Sequence, residues 1–344
     1  MTTTTRRKVL FCGHEFADGF QYARKHAASL PHVDVDRCER AETSTRIETC
    51  EVAVPLMTKL DADIIARGAR DGALRLILQF GVGLEGVDVD AATRCGVRVA
   101  RIPSEKTGNA TSTAEMAVYL LLAALRSHDG MSRSVETRRL GTPTGRTLGE
   151  CAVLVVGWGH IGVKIAKLLE AFGCKTYAAR RGEWSRDASD RDGVRLAGIC
   201  STSASSTNDY DEILGRVDAV CLACTQDASN IGMIDAKFLA KMKPGSVLVN
   251  VARGGLFNRD DVLDALNSGH LGYLATDVAW SEPVDPDDAV VRHPNSYFTP
   301  HVGGVCHGSY DAMGKIIANC TSVLDKLDEL PAGTYDEWNI QIVN

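Results

Sequence analysis

The chain has 344 residues, of which 44% are hydrophobic and 24% are charged, and its net charge at pH 7 is −6. This length favours two domains of ordinary size, and the acidic balance argues against a nucleic-acid partner, which needs a basic face. The longest apolar run, residues 116–125, is too short to span a bilayer. The first residues lack the apolar core of a signal peptide, and the eleven cysteines are scattered. We therefore expect a cytoplasmic protein without membrane association and without a disulfide scaffold.

Residues 8 to about 108 alternate short apolar runs with helical patterns, which predicts a first βα domain. The predicted strands are 8–12, 52–54, 74–79 and 97–102, and the predicted helices are 16–30 and 60–70. One segment, residues 79–88, reads QFGVGLEGVD and places a glycine-rich turn after a strand. Its backbone N–H groups are suited to hold a small anion, although an ordinary tight turn explains the same pattern.

A long apolar helix is predicted over residues 109–127, with Asn109 as a suitable N-cap. Its length and apolarity suggest a helix buried between two domains. Residues 138–150 contain Gly141, Pro143, Gly145 and Gly149 and form a turn-rich approach to the next segment.

The segment around which the chain is organised is residues 151–181, CAVLVVGWGHIGVKIAKLLEAFGCKTYAARR. A buried strand at 152–156 precedes Gly157, Gly159 and Gly162, which have the G-x-G-x-x-G spacing, and a helix and a second strand follow. In such a βαβ unit the glycines permit a tight turn and a close approach to a pyrophosphate, whose charge lies at the helix N-terminus. We therefore predict dinucleotide binding here.

The second half resumes the alternation after a polar connection, residues 182–210, part of which we expect to be mobile. Predicted strands and helices follow at 219–223, 235–242, 246–251, 259–268, 271–278, 297–300 and 309–328.

Three strand ends in this half carry residues suited to one reaction, since ligands of open α/β sheets lie beyond the carboxyl ends of the strands. Arg253 is suited to bind the carboxylate of a 2-oxo acid with two parallel hydrogen bonds. His301 is suited to donate a proton to the carbonyl oxygen, and Glu282 to orient the imidazole. Taken singly, each of these residues is as well explained by a structural or solvated role.

With these motifs the sequence resembles the D-isomer-specific 2-hydroxyacid dehydrogenases, the family of phosphoglycerate dehydrogenases and glyoxylate/hydroxypyruvate reductases. The resemblance covers roughly residues 50–330 and rests on the glycine fingerprint and on the motifs at 80–88, 109–115, 250–255, 277–283 and 299–301. It implies the fold class, α/β with two Rossmann-like or flavodoxin-like domains, parallel sheets and a cleft between them. It also implies a homodimer.

The resemblance assigns residues as well. It implies a discontinuous substrate domain, residues 1–108 plus 303–344, and a dinucleotide-binding domain at 109–302. It gives Arg253, Glu282 and His301 the catalytic roles above, and it brings the backbone of Val82 and Gly83 to the substrate carboxylate. The expected cofactor contacts are Gly157, Gly159, His160, Ile161, Gly162, Arg180, Arg181, Thr225, Val251, Ala252, Asp277 and Gly303.

Three departures from the family pattern refine the expectation. Arg180 and Arg181 stand where the family commonly has an acidic residue that binds the adenosine ribose, which favours NADPH over NADH. Residues 221–225 replace the usual His-x-Pro beside the cofactor. The chain ends at residue 344 without the regulatory domain of many phosphoglycerate dehydrogenases. The favoured substrate is therefore a small 2-oxo acid such as glyoxylate or hydroxypyruvate.

Other functions remain open at this stage. One alternative is a phosphoglycerate dehydrogenase, which needs further basic groups near the substrate loop, where the sequence offers Lys59. Another is a non-catalytic, dinucleotide-sensing corepressor of the same fold, although the long disordered tails of such proteins are missing here. A formate dehydrogenase carries glutamine at the position of Glu282, and no metal site is expected.

Overall fold

The computed structural model describes residues 6–70, 72–184, 193–202 and 207–344. The chain forms two compact units: a terminal unit, residues 1–109 with 305–344, and a central unit, residues 110–304. The resemblance set the two breaks after residues 108 and 302. Which unit binds which ligand remains a proposal.

The strands and helices follow one another along the chain in a regular order. They are β1 (Arg7–Cys12), α1 (Ala17–Ala27), β2 (Val33–Cys38), α2 (Thr43–Arg46), β3 (Val52–Val54), α3 (Ala62–Arg70), β4 (Leu76–Gln79), α4 (Val89–Arg94), β5 (Arg98–Arg101), α5 (Asn109–Leu125), α6 (His128–Glu136), β6 (Ala152–Val156), α7 (His160–Ala171), β7 (Lys175–Arg180), β8 (Gly198–Ser201), α8 (Thr207–Leu214), β9 (Ala219–Leu222), α9 (Ala236–Lys241), β10 (Ser246–Asn250), α10 (Arg259–Asn267), β11 (Leu271–Thr276), β12 (Ser296–Phe298), α11 (His307–Asn319) and β13 (Gln341–Ile342).

The terminal unit is built on a six-stranded sheet in the order β13-β5-β4-β3-β1-β2, parallel except for β13. One face of the sheet packs against α1 and α11. The two helices approach closely at Gly314, where a Cβ would lie only 2.7 Å from the carbonyl carbon of Tyr22. The other face packs against α3 and α4 through Ile65 and Ala92. Because both faces are covered, the central strands are continuous apolar runs, which is the pattern that made them predictable.

The central unit is built on a seven-stranded sheet in the order β12-β11-β10-β9-β6-β7-β8, and all its pairings are parallel. Helices α5 and α7 cover one face through Leu121 and Ile165, and α8, α9 and α10 cover the other through Ile213, Leu239 and Val262. The strand order changes direction at β6, whose neighbours are β7 and β9. Such a switch point is where open α/β sheets bind ligands.

The buried carboxylate of Asp218, directly before β9, binds groups of three neighbouring segments. The Asp218 side chain, 10% exposed, lies 2.7 Å from Arg146 and 2.8 Å from Lys243, and it accepts a hydrogen bond from the N–H of Ala152. Burial alone would raise the pKa of Asp218, but the bonds from Lys243, Ala152 and Arg146 outweigh it and lower the pKa to about 2.

The α/β fold class with parallel sheets is confirmed. The sequence patterns gave no signal for seven of the elements, which are β2, β8, β13, α2, α4, α6 and α8. In β2 and β8 only half or fewer of the residues are buried, and α6 buries none, so these elements lack a continuous apolar run. Strand β8 lies inside the connection 182–210, and residues 185–192 and 203–206 of that connection, part of which we expected to be mobile, are outside the described residues.

All eleven cysteines are free. Cys221 and Cys224 have C-x-x-C spacing, but Cys221 is fully buried in β9, and burial raises the pKa of its thiol to about 12. Among the described residues no helix is long and apolar enough to cross a membrane, and the same residues contain no group of histidine, cysteine and acidic side chains suited to a metal ion.

Candidate active site

The segments that carry Arg253, Glu282 and His301 leave three adjacent strands of the central unit. In the sheet register Asn250 of β10 lies beside Thr276 of β11, and Thr276 lies beside Phe298 of β12. The strands are parallel, so their carboxyl ends meet at one edge of the sheet. The strand order therefore gathers residues that are far apart in the sequence.

His301 and Glu282 form a direct pair at this edge. Nδ1 of His301 lies 2.7 Å from Oε2 of Glu282, and the two side chains are 30% and 20% exposed. The other carboxylate oxygen, Oε1, accepts a hydrogen bond of 2.9 Å from the N–H of Ala279. With Nδ1 protonated, both oxygens of Glu282 accept from donors, so the carboxylate fixes the orientation of the imidazole.

Arg253 follows β10 in a turn that the amide of Asn250 builds. The Asn250 Nδ2 donates to the carbonyl of Arg253 at 2.8 Å, and its Oδ1 accepts from the N–H of Ala252 at 2.9 Å. The turn packs closely against the segment that carries Glu282, and only glycine fits at position 254, where a Cβ would lie 1.9 Å from the carbonyl of Ala279. The arginine is consequently held on the same side of the sheet edge as the carboxylate.

The charge of Arg253 reaches Glu282. Burial would raise the pKa of Glu282, but the hydrogen bond and charge of His301, the N–H of Ala279 and the positive charge of Arg253 together lower it below its ordinary value. Glu282 is therefore ionised at neutral pH, and the guanidinium, the carboxylate and the imidazole form one electrostatic group.

Asp277 fastens the loop that carries His301. Its Oδ1 accepts from Thr299 Oγ1 at 2.5 Å and from the Val302 N–H at 2.9 Å, and its Oδ2 accepts from the Gly303 N–H at 2.7 Å. Within this loop His301 has φ +57°, a left-handed conformation that costs energy for a residue other than glycine. Burial raises the pKa of Asp277 despite these bonds. Asp277, which the sequence analysis expects to contact the cofactor, holds the His301 loop in place through these hydrogen bonds.

The three glycines of the fingerprint have different surroundings. Gly157, with φ +107°, approaches the end of β9, and a Cβ there would lie 2.5 Å from the Cys224 nitrogen. A Cβ at Gly162 would lie 1.9 Å from the Gly157 carbonyl oxygen, so α7 can pack on the turn only because residue 162 is glycine. A Cβ at Gly159, the N-cap of α7, would meet nothing within 4 Å. The turn therefore leaves open space in front of the α7 N-terminus, as a pyrophosphate requires.

The other expected cofactor contacts surround this turn or the neighbouring strand ends. His160 and Ile161 begin α7 behind Gly159, and Arg180 ends β7. The remaining residues follow strand ends in the central unit: Arg181 after β7, Thr225 after β9, Val251 and Ala252 after β10, and Gly303 after β12.

Val82 and Gly83 lie in the terminal unit, in the turn that follows β4, and both are half-buried. The Val82 carbonyl accepts a hydrogen bond of 3.4 Å from Nη1 of Arg101, a residue at the end of β5. A cation therefore lies beside the glycine-rich turn. The sequence analysis did not single out Arg101, because the strand order β5-β4 was needed to bring it there.

Sequence reasoning missed three further residues of the central site. Asn250 ends β10, builds the arginine turn and is fully buried, and its place as the first residue of the 250–255 motif was the available sequence signal. Asp227 pairs with Arg181, and Trp184 lies beneath Arg180. The Asp227–Arg181 pair joins segments that are 46 residues apart, so no local pattern indicates it.

Comparison with known proteins identifies the family. Residues 118–303, more than half of the chain, match the NAD binding domain of the D-isomer specific 2-hydroxyacid dehydrogenases. The chain belongs to this family. The match supports a nicotinamide cofactor and confirms the resemblance noted from the motifs.

Individual members of this dehydrogenase family align over most of the chain. The D-3-phosphoglycerate dehydrogenase of Archaeoglobus fulgidus is 31% identical over 90% of the chain and 56% of the relative. That of Mycobacterium tuberculosis is 33% identical over 76% of the chain and 46% of the relative. The chain thus spans about half the length of these dehydrogenases. The glyoxylate reductase of Korarchaeum cryptofilum is 26% identical, with 86% of each protein covered.

Solved structures of other proteins share the fold. The pyruvate reductase of Chlamydomonas reinhardtii superposes with a TM-score of 0.76 at 26% identity, covering 96% of this chain and 99% of the other. The TT0316 protein from Thermus thermophilus gives the same TM-score at 25% identity, covering 93% and 97%.

Proposed function

We propose that this chain is a nicotinamide-dependent 2-oxo acid reductase, equivalently a D-2-hydroxyacid dehydrogenase, with Arg253, Glu282 and His301 as its working residues. The observation that carries the proposal is the Glu282–His301 pair, 2.7 Å long, under the charge of Arg253 at the edge of a dinucleotide-type sheet. A nicotinamide cofactor, when bound, supplies the hydride.

Each residue has a defined task in this proposal. Arg253 binds the carboxylate of the 2-oxo acid and so fixes the direction from which the carbonyl carbon is presented. His301, oriented by Glu282, donates a proton from Nε2 to the carbonyl oxygen. In the oxidative direction the neutral imidazole takes the same proton from the hydroxyl group. The backbone of Val82 and Gly83 is proposed as a second anchor for the substrate carboxylate.

The fingerprint turn fits a dinucleotide on steric grounds. Gly159 offers the open space, and the first N–H groups of α7 provide the positive end of a helix for a pyrophosphate. We propose NADPH as the preferred cofactor, because Arg180 and Arg181 stand at the end of β7, where a 2′-phosphate would lie. A location in the cytoplasm and assembly as a homodimer through the central unit are predictions.

The favoured substrate is glyoxylate or hydroxypyruvate. A phosphorylated 2-oxo acid is a second candidate, since the relatives from Archaeoglobus fulgidus and Mycobacterium tuberculosis are D-3-phosphoglycerate dehydrogenases and Arg101 lies beside the turn at Val82. The cation that this alternative needs near the substrate loop is therefore available, in addition to the exposed Lys59.

The experiment is a panel of glyoxylate, hydroxypyruvate, pyruvate and phosphohydroxypyruvate, each measured with NADPH and with NADH. We expect turnover of an unphosphorylated acid and a higher kcat/KM with NADPH, and a clear preference for NADH would reject the cofactor assignment. His301→Ala should abolish turnover and leave nucleotide binding intact. If turnover survives, the proton donor is another group.

A further inference from the structure

The two arginines at the end of β7 are in different electrostatic situations. The guanidinium of Arg180 lies 5.6 Å from the centre of the Trp184 ring and forms no ion pair within the described part of the chain. Trp184 is itself fixed, because its Nε1 donates to the carbonyl of Cys200 at 2.7 Å and its ring packs 5.6 Å from that of Trp158. Nη1 of Arg181, in contrast, lies 2.8 Å from Oδ2 of Asp227.

Asp227 is held in place by its own loop. Its Oδ1 accepts from the Ser229 N–H at 2.9 Å and from the Ser229 hydroxyl at 2.6 Å, and its N–H donates to Oδ1 of Asn230 at 2.8 Å. Asn230 is 9% exposed and also donates to the carbonyl of Thr225 at 2.8 Å. The carboxylate is therefore presented to Arg181 by a pinned loop and not by a freely rotating side chain.

The carboxylate is charged under all physiological conditions. The hydrogen bond from Arg181, followed by those from Ser229, holds the pKa of Asp227 well below its usual range. Arg181 and Asp227 are 60% and 44% exposed, so the pair is open to water and to a competing ligand. Exposed pairs of this kind contribute little to stability, and a stabilising role does not account for the pinned loop.

We infer that Asp227 is a specificity-determining residue, an internal counter-ion of Arg181 that a 2′-phosphate must displace. This inference rests on the proposed binding of a dinucleotide at the fingerprint turn. A 2′-phosphate carries up to two negative charges. Beside Arg181 it would meet a cation that is already neutralised and a fixed carboxylate that repels it. NADH has a hydroxyl group at that position and is not subject to this repulsion, so Asp227 moderates the NADPH preference that the two arginines create.

The test is Asp227→Asn, with Asp227→Ala as a second charge-removing variant, and the readout is the Kd of each nucleotide from quenching of tryptophan fluorescence. We expect the Kd of NADPH to fall about fivefold and that of NADH to stay within about twofold, since one like charge beside the phosphate is removed in a screened, exposed site. The gain should shrink at high salt. The minimal probe 2′,5′-ADP should gain as NADPH does, and 5′-AMP should not.

Glu212→Gln is the matched control, because it removes the same charge from an exposed ion pair, with Arg216, in the same unit. It should leave both Kd values unchanged. An unchanged ratio of the two Kd values in the Asp227 variants would overturn the inference, as would a weaker binding of NADH alone, which would mean that Asp227 holds the ribose hydroxyl groups. Because binding is measured directly, a protein that binds both nucleotides and reduces no 2-oxo acid refutes the proposed reaction only. Failure to bind either nucleotide refutes both.

Discussion

Replacing Glu282 with glutamine isolates the role of one charge beside the imidazole. Glutamine keeps the shape, but it can offer only one carbonyl oxygen where the carboxylate accepts from both the Ala279 N–H at 2.9 Å and His301 Nδ1 at 2.7 Å. One buried donor then faces an NH₂ group. Losing a charge-assisted hydrogen bond and leaving a donor unpaired costs about 2 to 3 kcal/mol, or about 30- to 150-fold in kcat/KM.

The assay is reduction of glyoxylate or hydroxypyruvate at saturating NADPH over a range of pH, together with the nucleotide Kd. The deficit of Glu282→Gln should be full at neutral pH and should narrow at acidic pH, where Glu282, whose pKa lies below its ordinary value, becomes protonated in the wild-type protein. The Kd of the nucleotide should be unchanged, and Glu212→Gln should behave as the wild-type protein. A kcat/KM within threefold of wild type, with the same pH dependence, would refute the assigned role of Glu282.

Three further predictions concern the fingerprint turn, the histidine loop and the core. Gly159→Ala should fold normally and bind nucleotides more weakly, whereas Gly162→Ala should lower the melting temperature, because its Cβ would lie 1.9 Å from a backbone oxygen; calorimetry and nucleotide titration separate the two. Asp277→Asn should reduce kcat about 10-fold or more with a smaller change in KM. The variant weakens the hydrogen bonds that hold the His301 loop in its left-handed conformation, so the proton donor is no longer held in position. Asp218→Asn should cost about 2 kcal/mol of unfolding free energy at neutral pH, because the folded pKa of about 2 lies below the unfolded value of 3.8. This contribution is complete above pH 4 and is lost as the pH falls towards 2, so acid denaturation curves of the variant and wild type should converge there.

The parts of the fold that the sequence predicted are strands buried on both faces and helices with one buried apolar face. Strand β6 and the first turn of α7 belong to a contiguous βαβ unit, whose glycine spacing is visible in the sequence. Strand β2 and helix α6 were missed because exposed elements can be polar without loss of stability.

The candidate site shows the same division. The types and positions of Arg253, Glu282 and His301 were recognisable from strand-end motifs. Their mutual geometry, the Asn250 turn and the use of Asp277 as a loop fastener were not, because hydrogen bonds across separate segments have no period in the sequence.

The sequence by itself determined the alternation of strands and helices, the glycine turn and the identities of the polar residues that end the strands, since each follows from local sterics or from burial of consecutive side chains. Only the tertiary structure decided which strand ends are neighbours, how far the His301 imidazole lies from the Glu282 carboxylate, and that Asp227 opposes Arg181. These properties depend on strand order and on the approach of distant loops, which arise from packing the whole sheet and are not encoded in any single segment.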